Sequence, residues 1–428
     1  MQKPIQLIPC CRIFAQVSIV IGVIFLILAL TVNAKAAVPR RDSSVAATLQ
    51  AQLARHPYLK YPRSVERFYK QTRYKLAFIA PDTVKTHAWD AMLLLDCALH
   101  YGLSPNDYHP KELVYERLNA MMAKNEKVGI RQKANYDILL TDAMISMINN
   151  LHFGKLNPVY TTAVLDKGNS GDLRAVDALI NCLRQKDFMT AIEKTQPVSK
   201  AYYSLQRHMR MITGQQALDC YEIPPGDVQI MAINMERLRW IKRSDSVYIS
   251  INPPTALLKF HQKDTTYQFK AQVGTAAAPT PVIQTRITGV SINRGIVTFD
   301  LADDTLILTG MAGSDQRPGA VKIQSISKLA ALVLKGNQAD PTVADLSSTG
   351  YTKAGKLIRL KKPMPVRVTY LTCEVGEWGL VRYPDVYGLD RLLEKAFYQA
   401  PDVLAGRPAI KPMKLLKIKP GITERPLR

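Results

Sequence analysis

The spacing of apolar residues changes once along this chain, near Met235, and that change limits the fold more than any composition figure. Upstream, "VYERLNAMMAKN" and "YDILLTDAMISMINNLHFGKLNP" carry apolar residues at intervals of three and four. Tyr136, Leu140, Ala143/Met144, Met147 and Leu151 fall on one helical face, and Gly154 stands where such a helix would end. "YGLSPNDYHP" reads as an interhelical loop with a capping residue at Ser104 or Asn106, and Met121-Met122 as core filler. Downstream, "SVYISINPPTALLKFHQ", "TTYQFKAQVG", "TRITGVSI" and "GIVTFDLADDTLILTG" are short, alternating and β-branched, broken by Pro, Gly and Asp turns. "PMPVRVTYLTCEVGEWGLVRYPDVYG" reads as a hairpin around Gly376-Glu377-Trp378-Gly379.

The expectation is an α+β chain of two domains: helical over 45–215, a linker at 216–240, and mainly β over 241–400, followed by a basic tail at 401–428. A length of 428 residues is enough for two or three cores, and 47% hydrophobic with 21% charged residues excludes a disordered chain. No internal repeat is apparent.

Residues 1–36 belong to targeting rather than to the fold. Ile13 to Val32 run without a charge behind Lys3 and Arg12, and Ala34-Lys35-Ala36 supplies a small-x-small cleavage pattern. Twenty residues exceed the usual signal-peptide core of 7–15 and match the roughly 20 that span a bilayer. A long signal peptide and an uncleaved anchor both remain open, and both export the rest of the chain.

The net charge is +22, and removing residues 1–36 takes away only three cations and no acid. A field of that sign favours anionic neighbours. Export and the lack of any zinc-finger or RNP-like motif argue against nucleic acid. Seven Lys/Arg against one Glu in residues 406–428 suit an anionic membrane surface or a solvated tail. Outside the leader the cysteines are Cys97, Cys182, Cys220 and Cys373, too few for a disulfide framework, so buried free thiols are expected. No pair has zinc-ligand spacing, and neither a metal nor a cofactor is indicated.

"SDQRPGAVKIQS", from Ser314 to Ser325, combines a turn at Pro318-Gly319 with helical spacing over Ile323, Ile326, Leu329, Ala330 and Val333. Loops of this kind present backbone N–H groups at a helix start, a common mount for a nucleophile. This one holds no Cys and no His.

Several strings then coincide, in order, with one family. "VERFYKQTRYKLAFI", "YGLSPNDYHP", "YDILLTDAMISMINNLHFGKLNP", "INMERLRW", "VYISINPPTALLKF", "VGTAAAPTPV" and "PMPVRVTYLTCEV…PDVYGLD" resemble segments of the scaffold-containing, YkuD-type L,D-transpeptidases across nearly the whole exported chain. The resemblance implies an all-α scaffold domain, a mainly β YkuD-like catalytic domain and a periplasmic location, anchored in the inner membrane if residues 13–32 are retained. It also implies cell-wall chemistry. A cysteine thiolate attacks a peptidoglycan tetrapeptide, expels D-Ala and passes the acyl group to a neighbouring stem, aided by a His and an oxyanion hole.

Carried over residue by residue, the family's Ser-His-Gly-Cys-x-Arg falls on Arg317, Pro318, Gly319, Ala320, Val321 and Lys322. The nucleophile position is thus Ala320, and the family His positions are Pro318 and Thr309, the latter in "LILTGM". Lys322 keeps the charge of the Arg but not its fork geometry. No His lies beyond His261, which is expected on a solvated "FHQKD" turn. Cys373 reads as a packed strand residue, and a Ser–Lys pair from Ser314 or Ser325 with Lys322 carries little weight. The stretch between Gly214 and Asn234 is also too short for the family's small peptidoglycan-binding domain, and Val247 to Lys322 leaves little room for a lid.

The expected function is therefore that of a catalytically inactive envelope protein that binds peptidoglycan stem peptides or a cell-wall enzyme. Arg317, Gly319, Lys322 and Gly310 are the candidate binding residues, with Arg286 and Arg294 as further cations for carboxylates. Two alternatives stand beside it: an active L,D-transpeptidase or carboxypeptidase with a relocated nucleophile, and a structural protein that docks on anionic membrane.

Overall fold

The computed structural model describes residues 41–55, 58–79, 86–123, 128–169, 172–214, 225–241, 245–312, 319–337 and 356–398. The leader with its apolar run 13–32, Cys220, Arg317, Pro318 and the tail 401–428 lie outside the described residues. None of the described helices is long and apolar enough to cross a membrane.

The first half is helical: α1 (Arg41–Leu53), α2 (Pro62–Gln71), α3 (Ala88–Asp96), α4 (Tyr115–Met122), α5 (Ile130–Phe153), α6 (Thr162–Asp166), α7 (Ala175–Leu183), α8 (Phe188–Glu193), α9 (Lys200–Thr213) and α10 (Pro225–Arg239). The expected one-sided burial of α5 is corrected. Every residue from Tyr136 to Leu151 is buried, because α1, α2, α3, α7 and α10 all pack around this helix. Its end falls at Gly154, where φ is 90° and a side chain would collide with Glu236 and the Trp240 indole. In the loop after α3, Ser104 rather than Asn106 is the cap, accepting from the Asn106 N–H.

The expected linker at 216–240 is corrected too. Residues 225–239 form α10, whose Met231, Ala232, Met235 and Leu238 enter the helical core. Four apolar side chains at helical spacing find an acceptor surface on α5 and α9, so the segment packs instead of bridging.

The second half is a closed barrel of β1 (Val247–Asn252), β2 (Leu257–Gln262), β3 (Thr265–Gln272), β4 (Gln284–Asn293), β5 (Ile296–Leu301), β6 (Leu308–Gly310), β7 (Val321–Ile323) and β8 (Lys356–Val368). The order around it is β1-β2-β3-β7-β6-β5-β4-β8, closed by a parallel β1–β8 pair. The other pairs are antiparallel, except β6–β7. Alternation sends Ile249, Ile251, Leu258, Phe260, Val290 and Phe299 inward, and α11 (Ile326–Gly336) adds Leu329, Ala330 and Val333 to the same core. The arrangement is α+β with two domains, helical then mainly β.

One boundary moves. The hairpin β9 (Cys373–Gly376) and β10 (Gly379–Arg382) turns at the expected residues, with Trp378 fully presented to solvent, but Cys373 packs into the helical core rather than the barrel. Phe397 on α12 (Leu389–Tyr398) does the same, so the mainly β unit expected over 241–400 hands its last elements to the helical half. Asn234 fixes the seam: its side chain donates to the Thr372 hydroxyl at 2.9 Å and accepts from the Thr372 N–H at 2.8 Å.

Candidate functional site

Short strands β6 and β7 bring the sequence-predicted positions together. Their parallel register pairs Leu308 with Val321, Thr309 with Lys322 and Gly310 with Ile323. Leu308, Val321 and Ile323 point into the apolar core, so Thr309 and Lys322 share the opposite face. Thr309 is buried, its hydroxyl 3.4 Å from that of Thr298 on β5. Lys322 is half-buried opposite Gln272 of β3 and has no hydrogen-bond or ion-pair partner among the described residues.

Two glycines are required here for space. A Cβ on Gly310 would lie 2.9 Å from Ile326 of α11. Gly319 has φ 83°, and a Cβ there would lie 2.9 Å from Pro281. Ala320 follows it, partly exposed, beside the turn formed by 274–281. That turn is held from both ends. Gly274 N–H donates to the Thr280 hydroxyl at 2.9 Å, and the Tyr387 hydroxyl donates to the Gly274 carbonyl at 3.0 Å. Tyr387 in turn stacks on Tyr370, whose hydroxyl donates to Asp385 at 2.6 Å.

The chain does not enter a helix directly after Ala320. Val321–Ile323 form a strand, because Val321 and Ile323 alternate into the barrel core, and the helix starts only at Ile326 after Ser325 turns through φ 57°. This corrects the helical placement of Ile323. Arg294 sits in the β4–β5 turn at the barrel end that Gly310 approaches, whereas Arg286 lies beside Ala302 at the other end of the same ribbon. The two are thus not part of one cluster.

Chemically the site offers a cation, two hydroxyls and a glycine-lined approach, with no thiol and no imidazole. Cys373 is only 1% exposed, and burial pushes its thiol up to about 12, so it stays protonated and unreactive near neutral pH. Burial raises the Cys97 and Cys182 thiols as well, and all three are free. His261 is not on a solvated turn but on β2, half-buried, stacked on Tyr248 and 2.8 Å from the Ser250 hydroxyl. No group of three or more His, Cys, Asp or Glu suited to a metal occurs among the described residues.

The helical half holds what the motif reading missed: buried carboxylates that clasp loops. Asp137 accepts from the Ala77, Phe78 and Ile79 N–H groups and the Tyr69 hydroxyl. Asp142 accepts from Lys60 N–H, Tyr61 N–H and His109 Nε2, the last at 2.7 Å. Glu236 accepts from Lys155 N–H, Leu156 N–H and the Trp240 indole. Arg239 bonds the Tyr101 carbonyl and donates to the Tyr202 hydroxyl at 2.9 Å. Each clasp involves strings that carry the family resemblance. The signal available in sequence was a carboxylate inside an otherwise apolar helical run.

No curated protein matches this chain. Residues 63–209, spanning α2 to the middle of α9, match the family model described as a scaffold domain.

Proposed function

We propose that this is an exported, catalytically inactive relative of the YkuD-type L,D-transpeptidases that binds peptidoglycan stem peptides or an enzyme acting on them. One observation carries the reading: a scaffold-domain match over 63–209 is followed by a barrel whose adjacent parallel strands β6 and β7 pair Thr309 with Lys322 and Gly310 with Ile323, with Ala320 immediately before β7. The family pattern puts a His at Thr309, its Gly at Gly319, its nucleophilic Cys at Ala320 and its Arg at Lys322, and here those positions carry no thiol and no imidazole. Gly319 retains the family's glycine and takes a left-handed turn at φ 83°, while the reactive atoms beside it are replaced. Lys322, free of any internal carboxylate among the described residues, supplies a cation for a stem-peptide carboxylate.

The test is incubation of the full chain with tetrapeptide-rich peptidoglycan. Co-sedimentation without crosslinks or released D-Ala is expected, and Lys322→Glu is expected to weaken it. New crosslinks or free D-Ala would overturn the inactive reading. Ala320→Cys checks the register separately: the new thiol should alkylate with iodoacetamide under native conditions, whereas Cys373 should react only after unfolding. Adding Pro318→His to Ala320→Cys probes recovery of D-Ala release.

A second reading, an active enzyme with a relocated nucleophile, draws on the Ser250–His261 pair at 2.8 Å. It requires any D-Ala release to disappear in Ser250→Ala.

A further inference from the structure

The helical half holds a polar cavity between α2, α5, the turn after α6 and the start of α7. Its volume is about 230 Å³, less than the roughly 300–1,000 Å³ of drug-sized sites and ample for one small ionic group. Arg67, Lys167, Arg174 and Asp177 bring charge to its wall. Three cations against one acid leave an excess of two positive charges.

None of these cations has a carboxylate partner among the described residues. Lys167 and Arg174 are exposed, and half-buried Arg67 donates from Nη2 to the Ser64 hydroxyl at 2.8 Å. The turn after α6 runs close to it, since a Cβ on Gly168 would stand 3.6 Å from the Arg67 guanidinium carbon. The nearby acids are engaged elsewhere. Asp177 accepts from the Gln71 amide at 3.3 Å, and Asp166 accepts from the Arg63 and Ser64 N–H groups at the start of α2. The start of α7 has no such acceptor: Arg174 at its N-cap makes no capping bond, and the Ala175, Val176 and Asp177 N–H groups have no partner among the described residues. Asn149 of α5, only 3% exposed, completes the wall. Its amide bonds the Tyr61 hydroxyl and has no other partner among the described residues, which leaves the rest of its hydrogen-bonding capacity unused beside the cavity. Native structures rarely retain such a buried group without a use.

We infer that this cavity binds a phosphate group, held by Arg67, Lys167 and Arg174 at the start of α7. The excess charge matches a phosphate or phosphomonoester, which carries about −1.5 to −2 near neutral pH. Phosphate oxygens diverge tetrahedrally, and the cations here converge from α2, from the turn after α6 and from the start of α7. A carboxylate presents its oxygens in one plane and meets fewer of them. The positive end of α7 adds to the attraction. Free phosphate and the phosphomonoester of a larger molecule share this chemistry. The inference stands apart from the stem-peptide reading, since its residues lie within the matched segment 63–209 and none belongs to β6 or β7.

The test is isothermal titration calorimetry of the full chain at low ionic strength, where screening is weakest. One arm titrates inorganic phosphate, a second glycerol 3-phosphate, and a third succinate, a dianion built from carboxylates. Saturable, one-to-one binding in the first arm assigns a site for the free ion, and binding in the second arm alone assigns a phosphomonoester. Either supports the inference provided that affinity falls at least tenfold in Lys167→Gln/Arg174→Gln and holds in Arg184→Gln, which removes an exposed cation at the other end of α7. Absent or non-saturable binding in both phosphate arms overturns it. A smaller fall in the double variant, an equal fall in Arg184→Gln, or succinate binding as tight as that of phosphate overturns it as well. If the double variant does not fold, Arg67→Gln replaces it with the same tenfold criterion.

Discussion

The helical half and the barrel solve the same problem, buried backbone polarity, in opposite ways. In the barrel the closed ladder pairs the strands all the way round, and the core cluster between them is apolar. In the helical half, the connections between helices leave N–H groups that no ladder serves. Buried side chains serve them instead: Asp137 for 77–79, Asp142 for 60–61, Asp166 for 63–64 and Glu236 for 155–156. Closure makes polar side chains dispensable inside a barrel, whereas irregular loops make them structural in a helical domain. The barrel's unusual polar residues are therefore the ones to examine for function, and the helical half's clasping carboxylates are the ones to examine for stability.

The largest effect is expected from Asp137→Ala. It strands three backbone N–H groups and the Tyr69 hydroxyl at a fully buried site, and it should cost about 4 kcal/mol, read as a lowered urea midpoint or loss of folded protein. Full stability in this variant would break the contrast between the halves. Glu236→Gln keeps the shape but leaves Arg239 without its charge partner, so a loss of about 2 kcal/mol is expected. On the barrel side Thr309→Val should shift the midpoint by less than about 1 kcal/mol, since its hydroxyl has only a long contact to Thr298. A larger penalty would mean that Thr309 is structural, and would remove the barrel half of the comparison.

The smallest effect is a pH dependence. Burial by itself would lower the His152 pKa, but the Asp172 carboxylate and the Thr195 carbonyl outweigh it, so the folded-state value lies above the usual 6.5. The stabilisation is then fully present below pH 6.5 and is lost as pH rises through the folded-state value. Unfolding free energies across this window should show a shallow decline that His152→Gln flattens. An unchanged slope in that variant would assign the decline to another group.

Part of the neighbourhood was readable from the residues alone. Thr309, Ala320 and Lys322 were nominated by register against a family pattern; β6 and β7 pair Thr309 with Lys322, and Ala320 lies just before β7. The strand at Val321–Ile323 was not readable, because three alternating residues ahead of a helix look like its first turn until a barrel wall pairs with them. The clasping carboxylates were present as letters but silent as to partners, since Asp142 and Tyr61 lie 81 positions apart.

By itself the sequence determined the change from helix to strand after the Met235 region, the helix end at Gly154, the hairpin at Trp378 and the lack of any Cys or His in the 308–323 stretch. All of these depend on residue identity or on neighbours within a few positions, where periodicity and turn chemistry act. Only the tertiary structure decided that Ser104 and not Asn106 caps its turn, that α10 packs into the helical core, that Cys373 and Phe397 cross to that core, and that Arg237 pairs with Asp390. All but the first rest on pairs more than a hundred residues apart, such as Asn234 with Thr372 and Arg237 with Asp390. No local pattern encodes such a pair: the surfaces that meet exist only once both halves have folded.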